Sequence, residues 1–167
     1  MDTDTPPSRL KKAREAVRLD QHTVAALIGI NTPSYYDLEA YDDELAATLS
    51  LEDLCRLADV VRADPLVLLL GADAGSVECS ITFRGVVWTL AARMEASGLD
   101  ARQFGEQVGW DLTKILSDSD ELWALNTDGF RDVAKAAGIE WTSAFPRRRR
   151  AAPDPEQHGV LALREAR

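Results

Sequence analysis

The chain has 167 residues, of which 46% are hydrophobic and 28% are charged. This composition is ordinary for a globular protein, and the length is enough for one generous core or two small ones. The most apolar run, Pro65 to Leu70, is far too short to span a bilayer, and the acidic N-terminus lacks the apolar core of a signal peptide. We therefore expect no membrane partner and a cytoplasmic location.

The net charge of −9 is unevenly distributed along the chain. Residues 1–70 and 71–146 each carry −6, whereas residues 147–167 carry +3. Since DNA affinity depends largely on neutralising phosphates, this balance argues against strong non-specific DNA binding. The basic run Arg147–Arg150 has two interpretations, a phosphate contact or a solvated, disordered tail.

Capping residues predict the first three helices. Ser8 is the expected N-cap of a helix that begins the first domain, after a Pro-rich start expected to be disordered. Asp20 is expected to cap the second helix, and Gly29 to end it in a left-handed conformation. Asn31 is expected to cap the third helix, with Pro33 in its first turn, where a missing N–H costs little.

Two further helices complete the predicted first domain, residues 8–71. They follow an acidic loop, Tyr41 to Glu44. Ser50 and Asp53 have the spacing of a capping box at the start of an amphipathic helix. The apolar segment Pro65–Leu70 forms the fifth. Because no useful length of the sequence alternates with a period of two, we predict an all-α chain.

The second half of the chain repeats the pattern of the first. A shift of 80 positions gives identities at capping, turn and core positions, namely Leu10/Leu90, Glu15/Glu95, Ala16/Ala96, Leu19/Leu99, Asp20/Asp100 and Gly29/Gly109. After a shorter loop the offset falls to 76 and pairs Leu54 with Phe130. We therefore predict a second, degenerate helical domain over residues 81–146 with a similar layout, followed by a basic tail over 147–167.

The segment from Gln21 to Glu39 carries the pattern of a helix-turn-helix. Its features are a Gln opening the second helix, a small residue (Ala25) where two helices approach, a turn Gly (Gly29) and a Leu-Glu ending (Leu38-Glu39). Such features allow a second short helix to project into a major groove. Residues 8 to about 70 resemble the phage repressor/Cro-like (XRE) family, which implies a five-helix, lambda-repressor-like domain.

The resemblance also implies roles for individual residues. It pairs Arg14 with Glu39 as a structural ion pair, and the second repeat has Met94 and Ser119 at these positions. It implies phosphate contact by Gln21. From the first helix and its exit, Lys11, Lys12 and Arg18 are expected to supply further contacts to the DNA backbone. The groove-facing positions that it implies are Thr32, Pro33, Ser34 and Asp37, and Asn31, the expected cap of the third helix, is also predicted to bind DNA. Chemically, Pro33 offers no donor, and Asp37 repels phosphate but can accept a hydrogen bond from cytosine.

Two functions remain open at this point. The first is a sequence-specific DNA-binding transcriptional regulator that acts as a homodimer on double-stranded DNA. The second is an acidic protein-interaction module, of the antitoxin or immunity type, that keeps the fold without reading DNA. The four Trp residues of the second half are expected in its core or at a dimer contact.

An enzyme is not expected. The two histidines, His22 and His158, have no paired nucleophile nearby in sequence, and no glycine loop can cradle a phosphate. Cys55 is expected as a buried, reduced thiol on an apolar helix face, and neither cysteine has metal-type spacing. We therefore expect no cofactor and no metal.

Overall fold

The computed structural model describes residues 4–147, and these residues form helices joined by short turns. The α-helices are α1 (Pro6–Ala16), α2 (Gln21–Ile28), α3 (Thr32–Leu38), α4 (Glu44–Ala47), α5 (Leu51–Val61), α6 (Pro65–Leu70), α7 (Phe83–Ser97), α8 (Ala101–Val108), α9 (Thr113–Ser117), α10 (Thr127–Ala137) and α11 (Trp141–Ala144). A first 3₁₀ helix (Ala72–Ser76) follows α6, and a second (Ser119–Ala124) follows α9. Residues 4–147 contain no named strand, which confirms the all-α prediction for them. None of these helices is long and apolar enough to cross a membrane.

Side-chain caps fix the starts of α2, α3 and α5 as predicted. Asp20, Asn31 and Ser50 each accept a hydrogen bond from the backbone N–H three residues later, at 2.7, 2.8 and 3.0 Å. Such a cap satisfies one of the donors that a helix start leaves unpaired. Gly29 then ends α2 with φ at 80°, a left-handed conformation that costs glycine little.

Two local predictions in the first half are wrong. Helix α1 begins at Pro6, with Thr5 before it, so Ser8 lies inside the helix and is not its cap. Two prolines at the first helical positions explain the earlier start, since their φ angles are preset and they lack an N–H to satisfy. In addition, the extra short helix α4 follows the acidic loop, because Leu45 there turns into the core and is fully buried.

One hydrophobic core runs through both halves of the described structure. Between the halves, α4 packs on α10, and the second 3₁₀ helix packs on α5. Aromatic rings dominate the second half, where Phe83 lies 5.0 Å from Trp123 and 5.6 Å from Phe130 between ring centroids. Of the four tryptophans, only Trp88 is largely exposed, at 74%. The other three are partly buried and pack against the core.

The end of the described chain is bound to the folded body. The thiols of Cys55 and Cys79 donate to the carbonyls of Pro146 and Phe145. Arg147 forms an ion pair with Asp64 and donates to the carbonyls of the first 3₁₀ helix and its flank, including those of Ala74 and Val77 at 2.8 and 2.6 Å.

Arg147, the first residue of the predicted basic tail, therefore belongs to the folded body. A planar guanidinium carries five N–H donors, so one side chain can satisfy several inward-turned carbonyls at once. Residues 148–167, including the rest of the arginine run and His158, lie outside the described part of the chain.

Candidate nucleic-acid interface

Helices α2 and α3 form a pair with one buried side and one exposed side. Ala25 is almost fully buried in α2, and Tyr35 and Leu38 of α3 are 0% and 1% exposed. Because Tyr35 and Leu38 bury the inner face of α3, Pro33 and Ser34 are exposed on its other side. Within residues 4–147, no part of the second half buries Pro33 or Ser34.

A buried charge cluster fixes the far end of α3. Arg14 donates through two nitrogens to the Glu39 carboxylate, at 2.6 and 2.9 Å, and through a third to the carbonyl of Leu19 at 2.9 Å. The two side chains are only 10% and 4% exposed. The hydrogen bond to Glu39 raises the pKa of Arg14 above its ordinary value. The geometry is the two-point arrangement in which Arg binds a carboxylate most strongly.

Gln21 belongs to the same cluster. Its amide nitrogen donates to Glu39 Oε2 at 2.7 Å, and its side chain is half-buried. The residue therefore ties the start of α2 to the end of α3. This position differs from the solvent-facing one that the phosphate-contact expectation implies.

Two other predicted site residues hold the start of α3. Asn31 uses its side-chain oxygen to cap Ser34 N–H, at 2.8 Å. The Thr32 hydroxyl lies 3.0 Å from His22 Nδ1, which links α3 back to α2. His22 thus has a structural contact that sequence reasoning missed. Of the predicted groove-facing residues, Pro33, Ser34 and Asp37 remain for contact with a ligand.

Exposed tyrosines extend this face. Tyr36 and Tyr41 are 49% and 57% exposed, and neither was among the predicted site residues. The signal available in the sequence was the adjacent pair Tyr35-Tyr36, because neighbouring helical residues differ by about 100° and cannot both face the core. Asp37, Asp42 and Asp43 are exposed beside them, so the surface is acidic and aromatic.

Basic residues lie on α1 and at its end. Lys11 and Lys12 are exposed, and Lys11 lies one turn before Arg14 on α1. Arg18 is exposed two residues before the Asp20 cap, in a left-handed conformation with φ at 59°. The site therefore has an acidic exposed face on α3 and a basic flank that consists of Lys11, Lys12 and Arg18.

The described residues do not form a metal-binding site. No group of three or more His, Cys, Asp or Glu side chains within residues 4–147 is arranged to hold a metal ion. No protein-family model, curated protein or solved structure matches this chain.

Proposed function

We propose that the chain is a sequence-specific DNA-binding transcriptional regulator, in which α2 and α3 form a helix-turn-helix of the phage repressor/Cro-like type. The observation that carries the proposal is the exposed face of α3, opposite an inner face fixed by Tyr35, Leu38 and the Arg14–Glu39 pair. A rigid helix with one free face is what insertion into a major groove requires.

The chemistry of this face predicts what it reads. The Asp37 carboxylate accepts hydrogen bonds only, and cytosine N4 is the exposed donor of the major groove that suits it. Ser34 can donate and accept, whereas Pro33 and the ring of Tyr36 suit the methyl group of thymine. We therefore expect a pyrimidine-rich contact strand opposite α3.

The basic flank sets the strength and salt dependence of binding. If Lys11, Lys12 and Arg18 each neutralise one phosphate, the logarithm of the binding constant falls with the logarithm of salt concentration with a slope of roughly −3. The acidic residues of the same surface keep non-specific binding weak. The regulator accordingly depends on base contacts more than a basic repressor does.

A selection from random duplexes, followed by salt titration of the enriched duplex, tests this function. Fluorescence anisotropy should give the slope above, and Lys11→Gln should reduce its magnitude by about 0.9. Lys135→Gln, an exposed change on α10, is the matched control and should leave the slope unchanged. Absence of any enriched sequence, or binding that does not depend on salt, would contradict the proposal.

A second candidate function is supported by the acidic, aromatic surface around α3. Exposed tyrosines next to Asp37, Asp42 and Asp43 suit a basic protein partner, since Tyr is enriched at interfaces and complementary charge speeds association. A stoichiometric basic protein recovered from the native host with wild-type chain, and lost with Asp42→Asn/Asp43→Asn, would favour this candidate over DNA.

A further inference from the structure

The two halves of the chain share a similar helix layout, with an offset of 80 positions that falls to 76. Helix α8 begins at residue 101 and ends at 108, each 80 positions after the ends of α2 at 21 and 28. Helix α10 spans 127 to 137, each bound 76 positions after those of α5 at 51 and 61. The turn glycines Gly29 and Gly109 both have φ at 80°.

The halves also meet at equivalent positions. The isolated antiparallel bridge joins Ser50 to Asn126, the N-cap residues of α5 and α10. Leu51 N–H donates to the carbonyl of Leu125 across this bridge, at 2.7 Å. Antiparallel pairing of a residue with its own equivalent is the arrangement that a local two-fold axis produces.

Helix packing around the bridge is reciprocal. Helix α4 packs on α10, and the second 3₁₀ helix, which follows α9 as α4 follows α3, packs on α5. An interface in which the same elements contact each other in both directions is the isologous type found in two-fold dimers. Here both sides of that interface come from one chain.

The elements that would form such an interface with a second copy of the chain already pack against each other within one chain. Leu45 of α4, Leu51 of α5 and Phe130 of α10 are all 0% exposed. A homodimer through these elements would have to separate the two halves and expose this apolar area to water. The homodimer expected from the family resemblance is therefore not needed to place two DNA-contacting units, or heads, side by side: one chain already contains the α2–α3 and α8–α9 pairs.

We propose that one chain is a complete two-headed reader, in which α9 contacts a second DNA half-site different from the one contacted by α3. This inference rests on the function proposed for α3. Thr113, Lys114 and Ser117 are exposed on α9. Lys114 suits the O6 and N7 acceptors of guanine, whereas Asp37 on α3 suits a cytosine donor, so the two halves of the site differ in sequence.

The stoichiometry of binding and the shape of the selected motif test the inference. The motif should contain two unlike halves about 10–10.5 base pairs apart, the spacing of heads related by a two-fold axis on one face of DNA. Titration of the selected duplex, at a concentration well above the dissociation constant, should reach its breakpoint at one chain per duplex.

Charge reversal in the second head gives the matched variant experiment. Lys114→Glu should weaken binding by about tenfold or more, and repeating the selection should erase one half of the motif and keep the other. Lys135→Glu makes the same charge change at an exposed position of α10 and should alter neither result. Far-UV circular dichroism of both variants checks that the helices are intact.

The possible negative results distinguish failure of the two-headed reader from failure of the function proposed for α3. A palindromic motif with two chains per duplex, or equal affinities of Lys114→Glu and Lys135→Glu, would overturn the two-headed reader and leave the function of α3 standing. Absence of any selected DNA sequence would overturn both.

Discussion

The Arg14–Glu39 pair provides a sharp test of how the first half is held together. Glu39→Ser leaves the Arg14 guanidinium 10% exposed with its two carboxylate bonds removed. Arg14→Met leaves the carboxylate 4% exposed, with Gln21 as its remaining side-chain donor. Loss of one partner from a buried pair costs about 3–5 kcal/mol, because the other charge stays buried without compensation.

The double variant should cost less than the sum of the two single variants. Arg14→Met/Glu39→Ser removes both charges together and reproduces the residues found 80 positions later, Met94 and Ser119. We expect a coupling energy of about 2 kcal/mol, in the range measured for directly contacting residues. Glu95→Ser is the control, since Glu95 is exposed on α7, and should change stability by no more than about 0.5 kcal/mol.

Urea unfolding followed by two probes measures these free energies. Circular dichroism at 222 nm reports on helices in both halves, whereas all four tryptophans lie in the second half. Because one core runs through both halves, the two transitions should move together in every variant. Single-variant costs that add up to the double-variant cost, to within about 0.5 kcal/mol, would refute the argument from buried charge.

Three further predictions concern other parts of the fold. Burial raises the pKa of Cys55 to about 12, so a thiol reagent at pH 8 should modify only the exposed Cys79 until the protein unfolds; equal reaction rates would contradict this. The Thr23 N–H bond holds the pKa of Asp20 below its usual value, so the stabilisation is complete above about pH 4 and is lost as pH falls through the lower, folded value. Asp20→Asn, which keeps an acceptor, should weaken that acid dependence, and an identical acid profile would count against the cap. Arg147→Ala leaves several carbonyls without a donor and should lower the free energy of unfolding by about 2–3 kcal/mol; unchanged stability would show that the anchor is unimportant.

Local chemistry explains which helix starts were predictable. A cap such as Asp20, Asn31 or Ser50 bonds a backbone group three residues away, so the information lies within one turn of sequence. Helix α4 has no side-chain cap and only four residues. It forms because Leu45 reaches the core, and that contact is absent from local sequence.

Long-range contacts explain what the sequence did not reveal. Composition grouped Arg147 with the basic run after it, but the carbonyls that bind it come from a segment about 70 residues earlier. Likewise, the repeat was visible as spacing, whereas the pairing of Ser50 with Asn126 depends on how the halves face each other. At the site, the groove-facing positions of α3 were implied by the family resemblance, whereas the contact of His22 with Thr32 was not predicted.

The effect of charge reversal at Asp37 on DNA affinity tests the central claim most directly. Asp37→Lys and Asp59→Lys make the same charge change at exposed positions, on α3 and on α5 respectively. If α3 enters the groove, Asp37→Lys should raise affinity for a random-sequence duplex at low salt about tenfold more than Asp59→Lys does, since only the first charge comes close to phosphates. Equal effects of the two substitutions, or weaker binding by Asp37→Lys, would contradict a DNA-contacting α3.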